Sequence, residues 1–341
     1  MKSNEAIPSY VTCSLPSSPL PWQSKKMGQA TRDAYGEALL ALGKEDTRIV
    51  ALDADLSKST KSNLFAKQFP ARFFNCGIAE ANMVSIAAGL ASCGKIPFAS
   101  SFASFLLCKG FDQLRMSVAN PNLNVKIVGS HSGISLGEDG ASQQSVEDLA
   151  LACALPKFTV LSPADGASCK ALTKLSAAHV GPVFIRTGRP KAPIIYADGE
   201  SFEIGVAKKI VAGSDVTIIA TGLMVYSALM AATLLQKENI SVAVIDMHTI
   251  KPIDEAAIVT AAKRSGAIVT AEEHLLSGGL GSRVAQVLSQ YCPVPQVSVG
   301  IADTYAESGL PEELFEKYGL TEKHIVSAAI DVLKHKKKIA S

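Results

Sequence analysis

The run VTIIATGLMVYSALMAATLL, Val216–Leu235, holds no charged residue over 20 positions. A stretch of that length and polarity could cross a bilayer as one helix. Its internal order points elsewhere. The β-branched run VTIIA meets Thr-Gly, a turn signal, and a helix-forming segment follows. That is how a buried strand, a tight turn and a packed helix read in an α/β sheet. The expectation is therefore an α/β fold with no membrane span.

The same alternation extends in both directions. Upstream, ATRDAYGEALLALGKE reads as a helix, RIVALD and RFFNC as strands, and AEANMVSIAAGLAS as a helix rich in small residues. KIPFAS is a strand and FDQLRMSVA a helix. NVKIVGS, FTVLS and PVFIRTG add three strands, the last two separated by a helix over Asp165 to Ala178. RTGRPKAPIIYADGES then interrupts with proline, glycine and charge. After DVTIIAT, strands at SVAVIDM, AIVTAEE and PQVSVGI alternate with helices to the C-terminus. This predicts two consecutive, mostly parallel sheets flanked by helices. The expected organisation is an irregular arm over 1–26, an α/β unit over 27–190 and a linker over 191–201. A second α/β unit over 202–336 and a basic tail over 337–341 complete it. No sequence repeat relates the two units.

Composition agrees. A chain of 341 residues suits about two domains. Apolar residues at 48% supply sizeable cores, and charged residues at 19% exclude a disordered chain. A net charge of +2 with interspersed signs argues against nucleic-acid binding, and the basic end KHKKKIAS reads as solvated. The seven cysteines form no Cys-x-x-Cys pair, and an odd number suits no closed disulfide framework. Free thiols in a reducing, cytoplasmic compartment fit best. The first 26 residues carry four prolines, no Arg and no apolar core of a signal peptide.

In open α/β sheets, ligands gather at the carboxyl ends of strands. Five polar or aromatic loops lie there in the first unit: ALDADLSKSTKSN, the segment around Glu80, FASSFASF, GSHSGISLGEDGASQQS and IRTGRP. Each alone reads as a solvated turn; five on one edge read as a site. Glu80 is a lone carboxylate in FFNCGIAEANMVSIAAGLASCG, residues 73–94, with no Lys or Arg in that stretch to pair it. It is either a solvent-facing acid favoured by a helix N-terminus or an acid placed for burial. Phe102 and Phe105 share a face of a helical turn, as core or as a flat wall. Arg32 is a surface charge or a ligand, and His131 a satisfied loop residue or a ligand.

Taken together, CGIAEANMVSIAAGL, SFASFLLCKGFDQLRMSVA, GSHSGISLGEDGASQQSVEDLA and FIRTGRP resemble the pyrimidine-binding domain of transketolases. ATRDAYGEAL and DADLSKST match the same family upstream, and TIKPID, TAEEHLLSGGLG and DTYAESG resemble its C-terminal domain. The resemblance spans about residues 27–336. It implies thiamine diphosphate as cofactor and Glu80 as the catalytic acid. In the family such a glutamate hydrogen-bonds the aminopyrimidine ring and favours its imino tautomer, whose exocyclic nitrogen deprotonates the thiazolium carbon. Burial away from cations would raise the Glu80 pKa toward proton sharing. By the same resemblance Phe105 stacks on the pyrimidine with Phe102 beside it, and Asp55 lies near the cofactor at a subunit interface. Arg32, Ser59, His131 and Arg186 are implied to bind substrate phosphate, and Asp139 to accept a bond from a sugar hydroxyl. Arg189 lies near but matches a less constant position. Gln143 stands where many members carry histidine, as it does in the animal-type enzymes, and can bond a hydroxyl or carbonyl without serving as a cationic acid.

One departure is an absence. Full transketolases begin with a domain that holds the diphosphate and its metal through Gly-Asp-Gly and a downstream Asn, and no Gly-Asp-Gly occurs here. SGGLGS at 277–282 reads as a strand-to-helix turn. No metal ligand is expected on this chain; Mg2+ or Ca2+ would be bound through a diphosphate-domain partner subunit. The expected function is the C-terminal subunit of a split transketolase acting on sugar phosphates and self-associating into an even-numbered assembly. Three readings stay open beside it: a 2-oxo acid dehydrogenase beta subunit, a deoxyxylulose phosphate synthase-like enzyme, and a non-catalytic regulatory subunit.

Overall fold

The computed structural model describes residues 21–24 and 26–340. Most of the arm expected over residues 1–26 lies outside them; Pro21–Ser24 form a single 3-10 turn. Strand β1 (Met27–Ala30) pairs antiparallel with β8 (Lys191–Pro193), so the start of the linker is tied to the start of the first unit.

The first sheet contains β2 (Ile49–Asp53), β3 (Phe73–Asn75), β4 (Ile96–Phe102), β5 (Lys126–Ser130), β6 (Thr159–Leu161) and β7 (Val183–Arg186). These six run parallel in the order β6-β7-β5-β4-β2-β3. β2, β4 and β5 are buried at every position, which is why they show no apolar/polar alternation, even with Ser100, Ser101, Lys126 and Ser130 among them. A seventh strand, β12 (Thr249–Lys251), joins the free edge of β6 antiparallel, although it comes from the second half of the chain.

The second sheet has the order β14-β13-β10-β11-β9. Its strands are β9 (Lys208–Val211), β10 (Val216–Ala220), β11 (Val242–Asp246), β13 (Ile268–Leu275) and β14 (Gln296–Ile301), with only β9 antiparallel. The ambiguous apolar run thus becomes β10, a turn with Gly222 at φ 58°, and helix Met224–Lys237. Among the described residues no helix is long and apolar enough to cross a membrane. SGGLGS leads from β13 into helix Leu280–Tyr291.

The layers are built from amphipathic helices. Helices Thr31–Glu45 and Gly166–Ala178 cover one face of the first sheet through Tyr35, Leu39, Leu42, Cys169 and Leu172. Asp165 caps the second of them reciprocally with Ser168. On the other face a single apolar cluster joins Leu52, Met83, Leu106, Phe158 and Phe184 to Ile245, Met247, Ile250, Leu280 and Val284 of the second half. Lys251 fastens the seam by donating from Nζ to the carbonyls of Cys153 (3.0 Å) and Leu155 (2.5 Å), at the C-terminal end of helix Asp148–Ala154.

Candidate active site

Glu80 opens helix Glu80–Ser92 and is 2% exposed. Ser101, near the end of β4, donates its hydroxyl to Glu80 Oε1 at 3.2 Å. A cation is present after all: Lys109, at the end of helix Ala103–Lys109, brings Nζ to 3.9 Å from Oε2. The burial expected at Glu80 is found, whereas the isolation from cations is not. The same ammonium lies 4.5 Å above the Phe105 ring.

Three rings continue from there. Phe105 is half-buried and stacks on buried Phe102 at 5.5 Å and 19°. Phe102 in turn stacks on His131 at 3.8 Å and 23°. Arg32 Nη1 donates to His131 Nε2 at 2.9 Å and to the Ser59 carbonyl at 3.2 Å. A guanidinium has no acceptor, so Nε2 is unprotonated and Nδ1 carries the hydrogen that meets Ser130 Oγ at 2.8 Å. Burial pushes the His131 pKa down to about 3, with the charges of Arg32, Arg189 and Lys61 adding to it. His131 is thus a neutral ring in a positive field. Burial also lowers the pKa of Arg32, and its Nε has no hydrogen-bond partner among the described residues.

The end of β7 and the loop after it carry two arginines. Arg186 is buried and bidentate on Asp148, Nε to Oδ2 at 2.7 Å and Nη2 to Oδ1 at 3.1 Å. Its Nη2 also meets the Glu273 carbonyl at 2.8 Å. These commitments leave Arg186 engaged with the protein rather than with the Arg32–His131 cluster. Arg189 is 37% exposed, donates to the Leu136 carbonyl at 2.8 Å and lies 3.6 Å from Asp139 Oδ1. It is the arginine whose charge reaches both Arg32 and His131, and the motif alone had ranked it second.

Asp139 and Gln143 sit on the rim of the 131–145 loop. Asp139 is exposed beside Arg189; the Gln143 carbonyl accepts from Ser104 Oγ at 2.9 Å, which ties this loop to the Phe102–Phe105 turn. Asp55 is exposed, with φ 66°, and exchanges bonds with Asn75 (3.1 and 3.0 Å). Its neighbour Asp53 was not singled out from sequence. Buried Asp53 accepts from Leu56 N (2.5 Å), Thr60 Oγ1 (2.7 Å) and Ser62 Oγ (2.8 Å), shaping the loop that presents the Ser59 carbonyl. An acid three residues before its backbone donor is the only sequence sign of that turn.

A buried carboxylate acceptor beside a half-exposed phenyl ring fits one nitrogen and one face of an aminopyrimidine. Lys109 lies against both. Among the described residues no group of three or more His, Cys, Asp and Glu side chains is gathered for a metal.

Comparison with known proteins matches two stretches of the chain. Residues 27–194 match the transketolase pyrimidine-binding domain and residues 205–325 the transketolase C-terminal domain. A 6-deoxy-6-sulfo-D-fructose transketolase subunit, SqwH, of Clostridium sp. (strain MSTE9) is 44% identical over 316 residues, covering 93% of this chain and 98% of that protein. Human transketolase is 42% identical over 311 residues, which are 89% of this chain and 49% of the human protein. A solved structure described as a split-gene transketolase in an inactive beta4 tetramer superposes with a TM-score of 0.86 at 50% identity, over 91% of this chain and all of that one.

Proposed function

The chain belongs to the transketolase family, and we propose that it is the C-terminal subunit of a split transketolase. In this reading it transfers a two-carbon ketol unit from a ketose phosphate to an aldose phosphate, together with a partner subunit that holds the diphosphate and its metal. The observation that carries the reading is Glu80: a buried acid with a half-exposed aromatic ring beside it, one ring stack away from the His131 ring that Arg32 contacts.

Thiamine diphosphate, when bound, supplies the electron sink for ketol transfer. The chain's own residues would do the rest. Glu80 would share a proton with the aminopyrimidine ring, held in place by Ser101, and Phe105 would stack on that ring with Phe102 behind it. Arg32 and Arg189 would pair with the terminal anion of the sugar. His131, neutral, would fill the space between them and offer its Nε2 side only when Arg32 turns to the substrate. Asp139 and Gln143 would orient sugar hydroxyls, and the Ser59 carbonyl would help aim Arg32. Arg186 holds the loops rather than the substrate.

The name of the Clostridium relative favours one further reading of the same site, a donor whose terminal group is a sulfonate instead of a phosphate. The same arginines suit either tetrahedral oxyanion. Ketol transfer should be assayed with this chain alone and with a diphosphate-domain subunit, thiamine diphosphate and Mg2+, offering fructose 6-phosphate and 6-deoxy-6-sulfofructose as donors. Transfer is expected only in the mixture. Glu80→Gln should lower kcat by about a hundredfold or more, the usual worth of an acid–base group, without changing complex formation. Wild-type rates from that variant would sink the assignment.

A further inference from the structure

We propose that Glu273, carried by the second unit, is a positioning residue for the substrate loop of the first. The loop over 131–145 holds His131, Asp139 and Gln143, and its only helical turn is the short one at Ile134–Leu136. Such a segment takes its shape from whatever pins it. One pin comes from the end of β13; others are Ser132 N on the Thr187 carbonyl, Ser104 on the Gln143 carbonyl, Arg189 on the Leu136 carbonyl and Gln144 on the Glu307 carbonyl. Glu273 is 3% exposed, and its Oε1 accepts from Ser135 N at 2.6 Å. Leu275 N donates to the Val146 carbonyl at 2.8 Å, and Ala150 N donates to His274 Nε2 at 3.3 Å. The Glu273 carbonyl also receives Arg186, so one residue fixes both the loop and the loop-anchoring arginine.

The fit is close enough to constrain the sequence. Gly133 has φ +78°, and a Cβ there would stand 2.2 Å from Glu273 Oε1. The loop closes over the carboxylate through Gly133 N, which donates to the Ser145 carbonyl at 2.7 Å. His131, two residues earlier, is itself held at φ 59°. A shift at Ser135 therefore propagates to the ring that Arg32 contacts. The adjacent Glu272 does something different: its carboxylate accepts from Leu280 N and Gly281 N and serves the start of helix Leu280–Tyr291.

What the loop binds rests on the functional reading above; that Glu273 sets its shape does not. The test combines hydrogen exchange of the full chain with ketol-transfer kinetics of the chain plus its diphosphate-domain partner. In Glu273→Ala, exchange in peptides over 131–145 should rise about tenfold, the factor that follows from losing one buried hydrogen bond. The KM for the donor sugar should rise about tenfold as well, because misplacement of contact groups weakens binding, while kcat changes by less than about threefold. Glu273→Gln keeps an oxygen for the Ser135 N–H and should stay within about twofold of wild type in both readouts. Should the alanine variant not fold, Ser135→Pro removes the same bond from the loop side. Unchanged exchange over 131–145, or a glutamine variant as impaired as alanine, would overturn the proposal. Absence of ketol transfer in the wild-type mixture would unseat the functional reading and leave the exchange result standing.

Discussion

Arg186, the last residue of β7, and Arg189, in the loop after it, stand three residues apart and carry opposite loads. Arg186 and Asp148 are both buried, with side-chain exposures of 7% and 0%. Removing one partner of such a pair strands the other's charge and costs about 3–5 kcal/mol. Arg189 is a third exposed, and its neighbours Glu138 and Asp139 are in water, so its loss should barely touch the fold. Arg186→Met is expected to lower the urea midpoint sharply. Arg189→Met should leave that midpoint alone and raise the donor KM by about tenfold or more, the worth of a charge-assisted contact to an oxyanion. The reverse pattern in the two measurements would reassign both residues. The motif RTGRP places two arginines three residues apart but cannot say which is free. That is decided by Asp148, which packs against the loop only once β5 and β7 are paired. Lys109 teaches the same lesson at Glu80. The acid's burial is readable from its apolar neighbours in the chain, whereas the ammonium beside it arrives through a separate helix.

Elements were legible where local chemistry closes them. Thr221-Gly222 ends β10 in a turn, Asp165 caps its helix, and the glycines of 277–282 lead into the next. Elements that exist only by long-range pairing were not. Nothing in TIK marks residues 249–251 as an edge strand of the other sheet, and KAP becomes β8 only because β1 lies beside it. The linker also reaches the second sheet. Tyr196 donates its hydroxyl to Asp246 Oδ2 at 2.8 Å, at the end of β11, while Asp246 Oδ1 has no partner among the described residues. Burial pushes the Asp246 carboxyl up to about 8, against about 4 in an unfolded chain. Between those values the unfolded chain has released a proton that the folded chain keeps. This contribution to stability is therefore complete below pH 4 and is lost as pH rises toward 8, by up to about 1.4 kcal/mol per unit. Asp246→Asn cannot ionise and escapes that loss. Urea unfolding at pH 5 and pH 8 should show the variant gaining on wild type by a few kcal/mol, on the order set by those slopes. A difference that does not change with pH would exclude a protonated Asp246.

At the scale of the molecule, the two α/β units share one of their apolar cores. The cluster built on Leu52, Met83, Phe158 and Phe184 is completed by Ile245, Met247, Ile250, Leu280, Val284 and Val287 from beyond the linker. β12 pairs with β6, Lys251 holds the end of helix Asp148–Ala154, and Glu273 holds the 131–145 loop. Each fully buried aliphatic side chain stabilises by about 1.5–3 kcal/mol. Losing that group together would remove on the order of 10 kcal/mol, comparable to the whole margin of a typical domain, about 5–15 kcal/mol. The chain should consequently unfold in one transition, with far-ultraviolet circular dichroism and fluorescence of the single Trp22 coincident along a urea titration. Residues 27–201 expressed alone should show no cooperative transition, because β6 would be left as an open edge and its apolar face uncovered. Two separable transitions, or a cooperatively folded 27–201 fragment, would mean that the second unit is an appended domain. Glu273 would then be a passenger at an interface that the first unit does not need. A single transition lost on truncation would instead make the second unit part of the scaffold on which the site's loops are shaped. On that account, substitutions beyond residue 201 should reach the donor KM without touching any group that meets the sugar.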